Sequence, residues 1–333
     1  MVADQPNWAY DHMARFVIKE LQSKYDFYID YCSYHSLKKN HISQSLIRGR
    51  YSEQFRYLKF SFKRRVLPKT QAYDLVCFLG WYFPFAYDFQ ITGKRIIQGI
   101  FTDGFPPKGH GLKVDPGLSI EEFVRKYLGN STTVICGSRL ILDRYKSYVE
   151  NVHYCTGAIN TRRFKTPVRK HEGFIVGWTG DPHRSFKGFY DFVVPAVEKA
   201  ASLRPGISLK TRFKGPYRTL HTFYQDVDVL LIASTGDAGP SSFLEAGACG
   251  VPSLSTRIGF PAETIRDGEN GMFVDRSVED MSRAIIFLHD NRENLKSMSS
   301  NIRADIEKSW TPAARSGLWD LMFQESLAGA KAS

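Results

Sequence analysis

At 333 residues, 43% hydrophobic and 24% charged, the chain is long enough for two domains with separate cores and too apolar for a disordered or fibrous protein. Its five cysteines (Cys32, Cys77, Cys136, Cys155, Cys249) are odd in number, scattered and without a C-x-x-C pair. That argues against a disulfide framework or a cysteine-based zinc site, and for a reducing compartment. The formal charge of +11 sits in the first half: residues 1–166 hold 25 Lys and Arg against 14 Asp and Glu, and the remainder holds 20 of each.

Taken in chain order, a helix-like segment, Trp8 to Leu21, begins almost at once. The first strand is therefore either reduced to Val2–Ala3, or the natural chain starts further upstream. Strands are expected at Phe27–Cys32, Leu75–Leu79, Arg95–Phe101, Thr132–Cys136 and Val152–Cys155. They resume at Phe174–Trp178, Ser208–Phe213, Val227–Ala233, Pro252–Thr256 and Gly271–Val274. Amphipathic segments fall between most of them, among them Glu121–Leu128, Arg139–Val149, Gly188–Ser202, Val278–Asp290 and Arg292–Ser309. This alternation predicts an α/β protein built of right-handed β-α-β units with parallel sheets. The basic, aperiodic stretch Thr156–Glu172 reads as a linker near the midpoint. The domains expected are then 1–160, 161–309 and a C-terminal helical segment, 310–333, whose apolar residues suit packing on the first domain.

Two other stretches bear on partners. Lys38 to Lys69 carries ten basic residues and one acid, Glu53. It is either a solvated face or a patch for an anionic partner such as a lipid headgroup, a lipid-phosphate acceptor or an acidic polymer. No nucleic-acid motif accompanies it, which disfavours nucleic acid. The most apolar window, Leu75 to Tyr87, is shorter than the ~20 residues a membrane span needs. With no signal-peptide pattern, the expected location is cytoplasmic, with peripheral contact at the membrane inner face through Lys38–Lys69.

The most informative segment is Ser234 to Glu263, STGDAGPSSFLEAGACGVPSLSTRIGFPAE. It follows a predicted strand, and its Gly- and Pro-containing loop leads into a short helix, Ser242–Cys249. Ligands of open α/β sheets bind outside the carboxyl ends of strands, where a helix start offers free N–H groups to an anion. Asp237 and Glu245, eight apart, place a carboxylate on each side of a bound group and can accept hydrogen bonds from hydroxyls. Ser242 and Glu245 also fit a capping box, which would make Glu245 a structural residue.

The Asp237–Glu245 pattern, followed by Gly250, Pro252, Gly259 and Glu263, resembles the signature of the GT-B glycosyltransferases of family 4 (glycosyl transferases group 1). That resemblance implies two Rossmann-like domains with parallel sheets facing across a cleft. It implies a retaining glycosyltransferase that moves a sugar from a nucleoside diphosphate sugar to a sugar, lipid-linked or polymer acceptor in polysaccharide or glycoconjugate synthesis. Glu245 would hold the ribose, Asp237 would contact the donor sugar, and the Gly239, Pro240, Ser241 and Ser242 segment would approach sugar and diphosphate. The family usually has Glu where Asp237 stands. In GFIVGWTGDPHRSFKG, Gly173 to Gly188, Gly180 forms the turn and Lys187 matches the family's diphosphate lysine. Asp181 occupies the family's arginine position, with Arg184 close enough to substitute.

The family's first-domain histidine has no match: IIQGIF is followed by Thr102, Asp103 and Gly104, which makes Asp103 a site candidate, with His110 in the next loop. Trp81 and Tyr82 either line an acceptor pocket or pack the core. Asp226-Val-Asp228 imitates a metal-binding D-x-D string but starts the strand whose other end bears Asp237. The expectation is no metal and no cofactor other than the donor. An epimerase on the same fold and a non-catalytic scaffold remain as alternatives.

Overall fold

The computed structural model describes residues 1–6, 8–35, 72–87, 89, 92–102, 104–107, 112, 114–166 and 172–328. The basic segment Lys38–Lys69 and the candidates Asp103 and His110 lie outside the described residues. The chain divides into two compact units, Met1–Gly157 with Arg315–Ser333, and Ala158–Ala314.

The first unit is built on a parallel six-stranded sheet. Its strands are β1 (Val2–Ala3), β2 (Asp30–Tyr31), β4 (Val76–Phe78), β6 (Ile96–Ile100), β7 (Thr133–Cys136) and β8 (Val152–Tyr154), in the order β2-β1-β4-β6-β7-β8. A small parallel pair, β3 (Ala72–Tyr73) with β5 (Thr92–Gly93), was not foreseen from the sequence. Val2–Ala3 form the strand between β2 and β4, Val2 opposite Asp30 and Phe78. Because β1 offers only two residues, β2 is ordered over Asp30–Tyr31 and not over the whole of Phe27–Cys32.

The helix Ala9–Leu21 buries Asp11, Ala14, Val17 and Leu21, one face at helical spacing. The buried Asp11 carboxylate accepts from Arg15 Nε, at 2.8 Å on Oδ1 and 3.0 Å on Oδ2, and from Tyr31 OH at 2.6 Å on Oδ1, so both oxygens are partnered. Within the same unit, the helix Pro312–Ala328 carries Trp319, whose Nε1 donates to Thr156 O at 3.0 Å, and Ser326, which bonds Thr133 at 2.8 Å. Tyr25 OH donates to Asp320 of that helix at 2.8 Å, and Phe323 packs between Tyr25 and Phe27.

The second unit holds a five-stranded parallel sheet of β9 (Phe174–Thr179), β10 (Ile207–Arg212), β11 (Val229–Ile232), β12 (Ser253–Ser255) and β13 (Met272–Phe273), ordered β10-β9-β11-β12-β13. Helices cover both faces, so the central strands β9 and β11 read as apolar runs, whereas the edge strand β10 carries Ser208, Lys210 and Arg212. On one face Phe174, Val176, Leu231 and Leu254 meet the helices Val194–Leu203 and Val278–Asp290 through Val197, Ala200, Ile285 and Leu288. On the other, Leu230 and Ile232 meet Phe243, Leu244, Ile302, Ile306 and Trp310. Gly247 lets the helix Arg292–Ser309 approach closely, since a Cβ there would sit 2.8 Å from Ile306. The strand order reverses at β9, with β10 on one side and β11 on the other, so the carboxyl ends of β9 and β11 flank the crevice where open sheets bind ligands.

Loops on that edge are locked together by backbone. Gly259, at φ +29°, has Ala238 O only 2.1 Å from where a Cβ would stand. The predicted consequence is that Gly259→Ala lowers stability by about 3 kcal/mol or more, because the clash is with backbone that cannot swing aside. Urea denaturation of the full chain checks this; an unchanged midpoint would contradict the contact.

Candidate functional site

Three loops at the carboxyl edge of the second sheet build the site. The first leaves β9 through Gly180, whose φ of +147° suits glycine, and ends in a tight turn, Ser185–Lys187. Gly188, at φ +63°, closes that turn, and the helical segment from Phe189 follows directly. A Cβ on Gly180 would stand in ordinary contact with Lys187 Cδ, at 3.4 Å, so it is the backbone conformation that calls for glycine here. The second loop leaves β11 and carries Asp237 into the helix Ser241–Ala248. Thr235 N–H donates to Phe186 O at 2.8 Å, and Thr256 Oγ1 donates to Ser234 O at 2.7 Å, which ties this loop to its neighbours. The third leaves β13 and carries Arg276, whose Nε donates to Ala233 O at 2.8 Å.

These loops bring Lys187 and Asp237 together. Lys187 Nζ lies 3.1 Å from Asp237 Oδ2, with about a fifth of each side chain exposed. The other carboxylate oxygen accepts from Gly239 N–H at 3.3 Å. Both charges therefore stay within reach of a ligand at the mouth of the crevice. Gly239 packs under Phe260, whose ring atoms would lie 2.4 to 2.9 Å from a Cβ, so only glycine fits there.

Glu245 lies deeper, 5% exposed. The helix starts at Ser241 behind Pro240, with no side-chain cap. The Ser242–Glu245 capping box does not form. Instead Tyr224 OH, itself fully buried, donates to Glu245 Oε2 at 2.7 Å. Burial pushes the Glu245 carboxyl up to about 7; the Tyr224 hydrogen bond and the charge of Arg212 oppose that rise. The first amides of the uncapped helix, on Ser241 and Ser242, face the same edge as Asp237 and carry the positive end of the helix dipole.

Other candidates fall elsewhere. Arg184 Nε lies 3.6 Å from Asp181 Oδ2 on the exposed part of the β9 loop, so the pair answers itself in this structure. Asp226 pairs with Lys210 at 2.6 Å, and Asp228 accepts from Ile175 N–H at 2.7 Å. Both stand at the amino end of β11, opposite the Asp237 loop. Trp81 and Tyr82, expected on an acceptor side, are 1% and 5% exposed. Trp81 packs edge-on against Phe123 and Tyr127, and neither ring offers a face to solvent. The acceptor assignment is therefore corrected to core packing. Tyr224 and Arg276 were not foreseen: the helix Leu220–Tyr224 is too short for periodicity to show, and Arg276 stands in no motif.

Comparison with known proteins bears on this geometry. Residues 196–305 match the family model of glycosyl transferases group 1, a span that includes Asp237, Glu245 and Arg276 but not Lys187. The matched residues lie within the second unit. Over 81 residues the chain is 38% identical to the lipopolysaccharide core biosynthesis glycosyltransferase LpsE of Rhizobium meliloti (strain 1021), covering 24% of each protein. Among solved structures, sucrose-phosphate synthase of Thermosynechococcus elongatus superposes with a TM-score of 0.61 at 14% identity, over 84% of this chain and 79% of that one. TarM of S. aureus gives 0.57 at 17% identity, over 69% of this chain and half of TarM. HepE of Anabaena, in complex with UDP, gives 0.56 at 12% identity, over 69% and 72%. The two parallel-sheet units are those of the GT-B fold. Among the described residues no helix is long and apolar enough to cross a membrane.

Glu245 gives this site a measurable pH signature. Its ordinary value of 4.5 rises to about 7 on folding, so between those pH values the folded chain holds more of this proton than the unfolded chain. Stability from this group is accordingly lost as pH rises through that window. Glu245→Gln, which keeps an acceptor for Tyr224, is predicted to raise stability at pH 8 by up to roughly 3 kcal/mol and to change little at pH 4.5. Urea unfolding at both pH values reads this; a variant less stable at pH 8 would contradict it.

Proposed function

We propose that the chain transfers a glycosyl group from a nucleoside diphosphate sugar to an acceptor hydroxyl, with retention at the anomeric carbon. The observation that carries this reading is the meeting of Lys187 with Asp237 at the reversal point of the sheet, beside the start of the helix that bears Glu245. A lysine next to helix-start amides suits a diphosphate, and a partly exposed carboxylate beside it suits sugar hydroxyls. The buried Glu245, with one oxygen held by Tyr224, keeps the other for the two adjacent hydroxyls of a ribose. The family match to glycosyl transferases group 1 supports the same reading. The LpsE likeness supports a glycoconjugate setting, although the chain spans about a quarter of that protein.

In the reaction, the bond from the anomeric carbon to the diphosphate breaks, and the electron pair leaves on the diphosphate oxygen. Lys187 and the amides of Ser241 and Ser242 meet that developing charge, which is usually the largest catalytic contribution in such a site. The acceptor oxygen forms the new bond, and its proton passes to the departing diphosphate. Asp237 holds the donor sugar in place. Asp226 and Asp228, engaged at the far end of β11, take no part in this step.

The test is a thermal-shift screen of the full chain with UDP, GDP, ADP, CMP and dTDP in EDTA, because a ligand bound only by the native state raises the melting temperature. One nucleotide is predicted to shift it, Glu245→Ala to abolish the shift, and Lys187→Met to cut turnover by about 100-fold or more with the matching sugar. A shift that survives Glu245→Ala, or no shift with any nucleotide, would sink the assignment.

A further inference from the structure

The loop that bears Lys187 and the loop that bears Asp237 are distant in sequence and belong to different strands, yet one side chain from a third loop holds both. Arg276 Nε donates to Ala233 O, the last residue before the Asp237 loop, at 2.8 Å. Its Nη2 donates to Ser185 O, the first residue of the Lys187 turn, at 3.4 Å. The guanidinium lies over the ring of Phe192 at 4.2 Å, which fixes its plane. A Cβ on Gly188 would come within 3.0 Å of both Arg276 Nη2 and Ala233 O, so the turn can close onto this group only through a glycine.

The root of the side chain is fixed as well. Asp275 N–H donates to Asp280 Oδ2 at 2.7 Å, and Ser277 Oγ accepts from Asp280 N–H at 3.1 Å at the start of the helix Val278–Asp290. Arg276 therefore rises from a capped helix start and spends its fork on two carbonyls. Among the described residues it makes no ion pair with a carboxylate. A surface arginine gains little from carbonyls alone, but a planar fork can set the distance between two loops as a flexible ammonium cannot.

We propose that Arg276 is a positioning residue for the donor site, a clamp that sets the Lys187 turn against the Asp237 loop at the spacing a diphosphate sugar requires. The inference rests on the proposed donor reading for its functional consequence, but the clamp itself does not. Displacing a charge-stabilising group by about 1 Å can cost on the order of 100-fold in rate, so the clamp acts on turnover more than on the binding of the nucleotide, whose ribose is held by Glu245.

The experiment uses the full chain and the variants Arg276→Met, Arg276→Lys and Arg276→Ala. Hydrogen exchange is read at Thr235 N–H, which bonds Phe186 O, and at Gly188 N–H, which bonds Ser185 O. In Arg276→Met both amides are predicted to exchange about tenfold faster or more, while the β9 and β11 amides keep their rates. With the nucleoside diphosphate sugar whose nucleotide shifts the wild type, UDP-glucose being tried first and release of the nucleoside diphosphate being read, kcat is predicted to fall by about 100-fold and KM for the donor to change by less than about fivefold. Arg276→Lys does not restore kcat, and millimolar guanidinium partly restores it in Arg276→Ala. Unchanged exchange at Thr235 and Gly188 overturns the clamp whatever the donor turns out to be. Faster exchange with unaltered kcat overturns its positioning role. Failure of every nucleotide to bind the wild type removes the donor reading and leaves the exchange result to judge the clamp.

Discussion

Parallel pairing of β9 with β11, Val229 opposite Val176 and Leu230 opposite Gly177, is the contact on which the candidate site depends. It sets side by side the carboxyl ends of two strands separated by a helix, β10 and a short helical turn. Because β10 pairs on the far side of β9, nothing closes the edge between the two ends. The loops that leave them pack against each other and against the loops that follow β12 and β13. Their backbones meet at Thr235 and Phe186, their charges at Lys187 and Asp237.

Charge burial is graded across this edge. Lys187 and Asp237 are partly solvated, so their mutual attraction is screened. An anionic ligand can therefore take Lys187 from Asp237 without a large penalty. Glu245 is under the opposite regime: nearly all of its surface is gone, and one hydroxyl and a distant arginine do not fully replace water. A carboxyl left short of partners in the free protein is one that a pair of ligand hydroxyls can satisfy, so part of the strain of folding it is returned on binding. The same economy explains the glycines. Gly188, Gly239 and Gly259 each stand where a Cβ would strike a neighbouring loop, and they let three loops share one small edge.

The sequence was legible where a physical period or a dense motif existed. Alternating apolar runs located all five strands of the second sheet within two residues at either end, and the helices Val278–Asp290 and Arg292–Ser309 to the residue. Asp237 and Glu245 could be picked out because glycine, proline and acid fall at fixed intervals after a strand. What could not be read came from contacts distant in the chain. The Tyr224 hydroxyl reaches Glu245 from a five-residue helix, and Arg276 reaches Ala233 and Ser185 from a loop with no motif. The capping box was a local reading that tertiary structure overrode, since Pro240 starts the helix one residue earlier and Tyr224 claims the glutamate. Trp81 and Tyr82 show the same limit, because an aromatic pair at a strand end looks alike whether it meets a sugar or Phe123 and Tyr127.

The central claim is that Lys187 answers the charge of a diphosphate, and calorimetric titration tests it most directly. The wild-type chain and Lys187→Met would each be titrated with a nucleoside diphosphate and with the corresponding monophosphate. Wild type is predicted to favour the diphosphate by about tenfold or more, and the variant to bind the two within about twofold of each other. An undiminished preference for the diphosphate in Lys187→Met would place the phosphate-binding charge elsewhere and contradict the account.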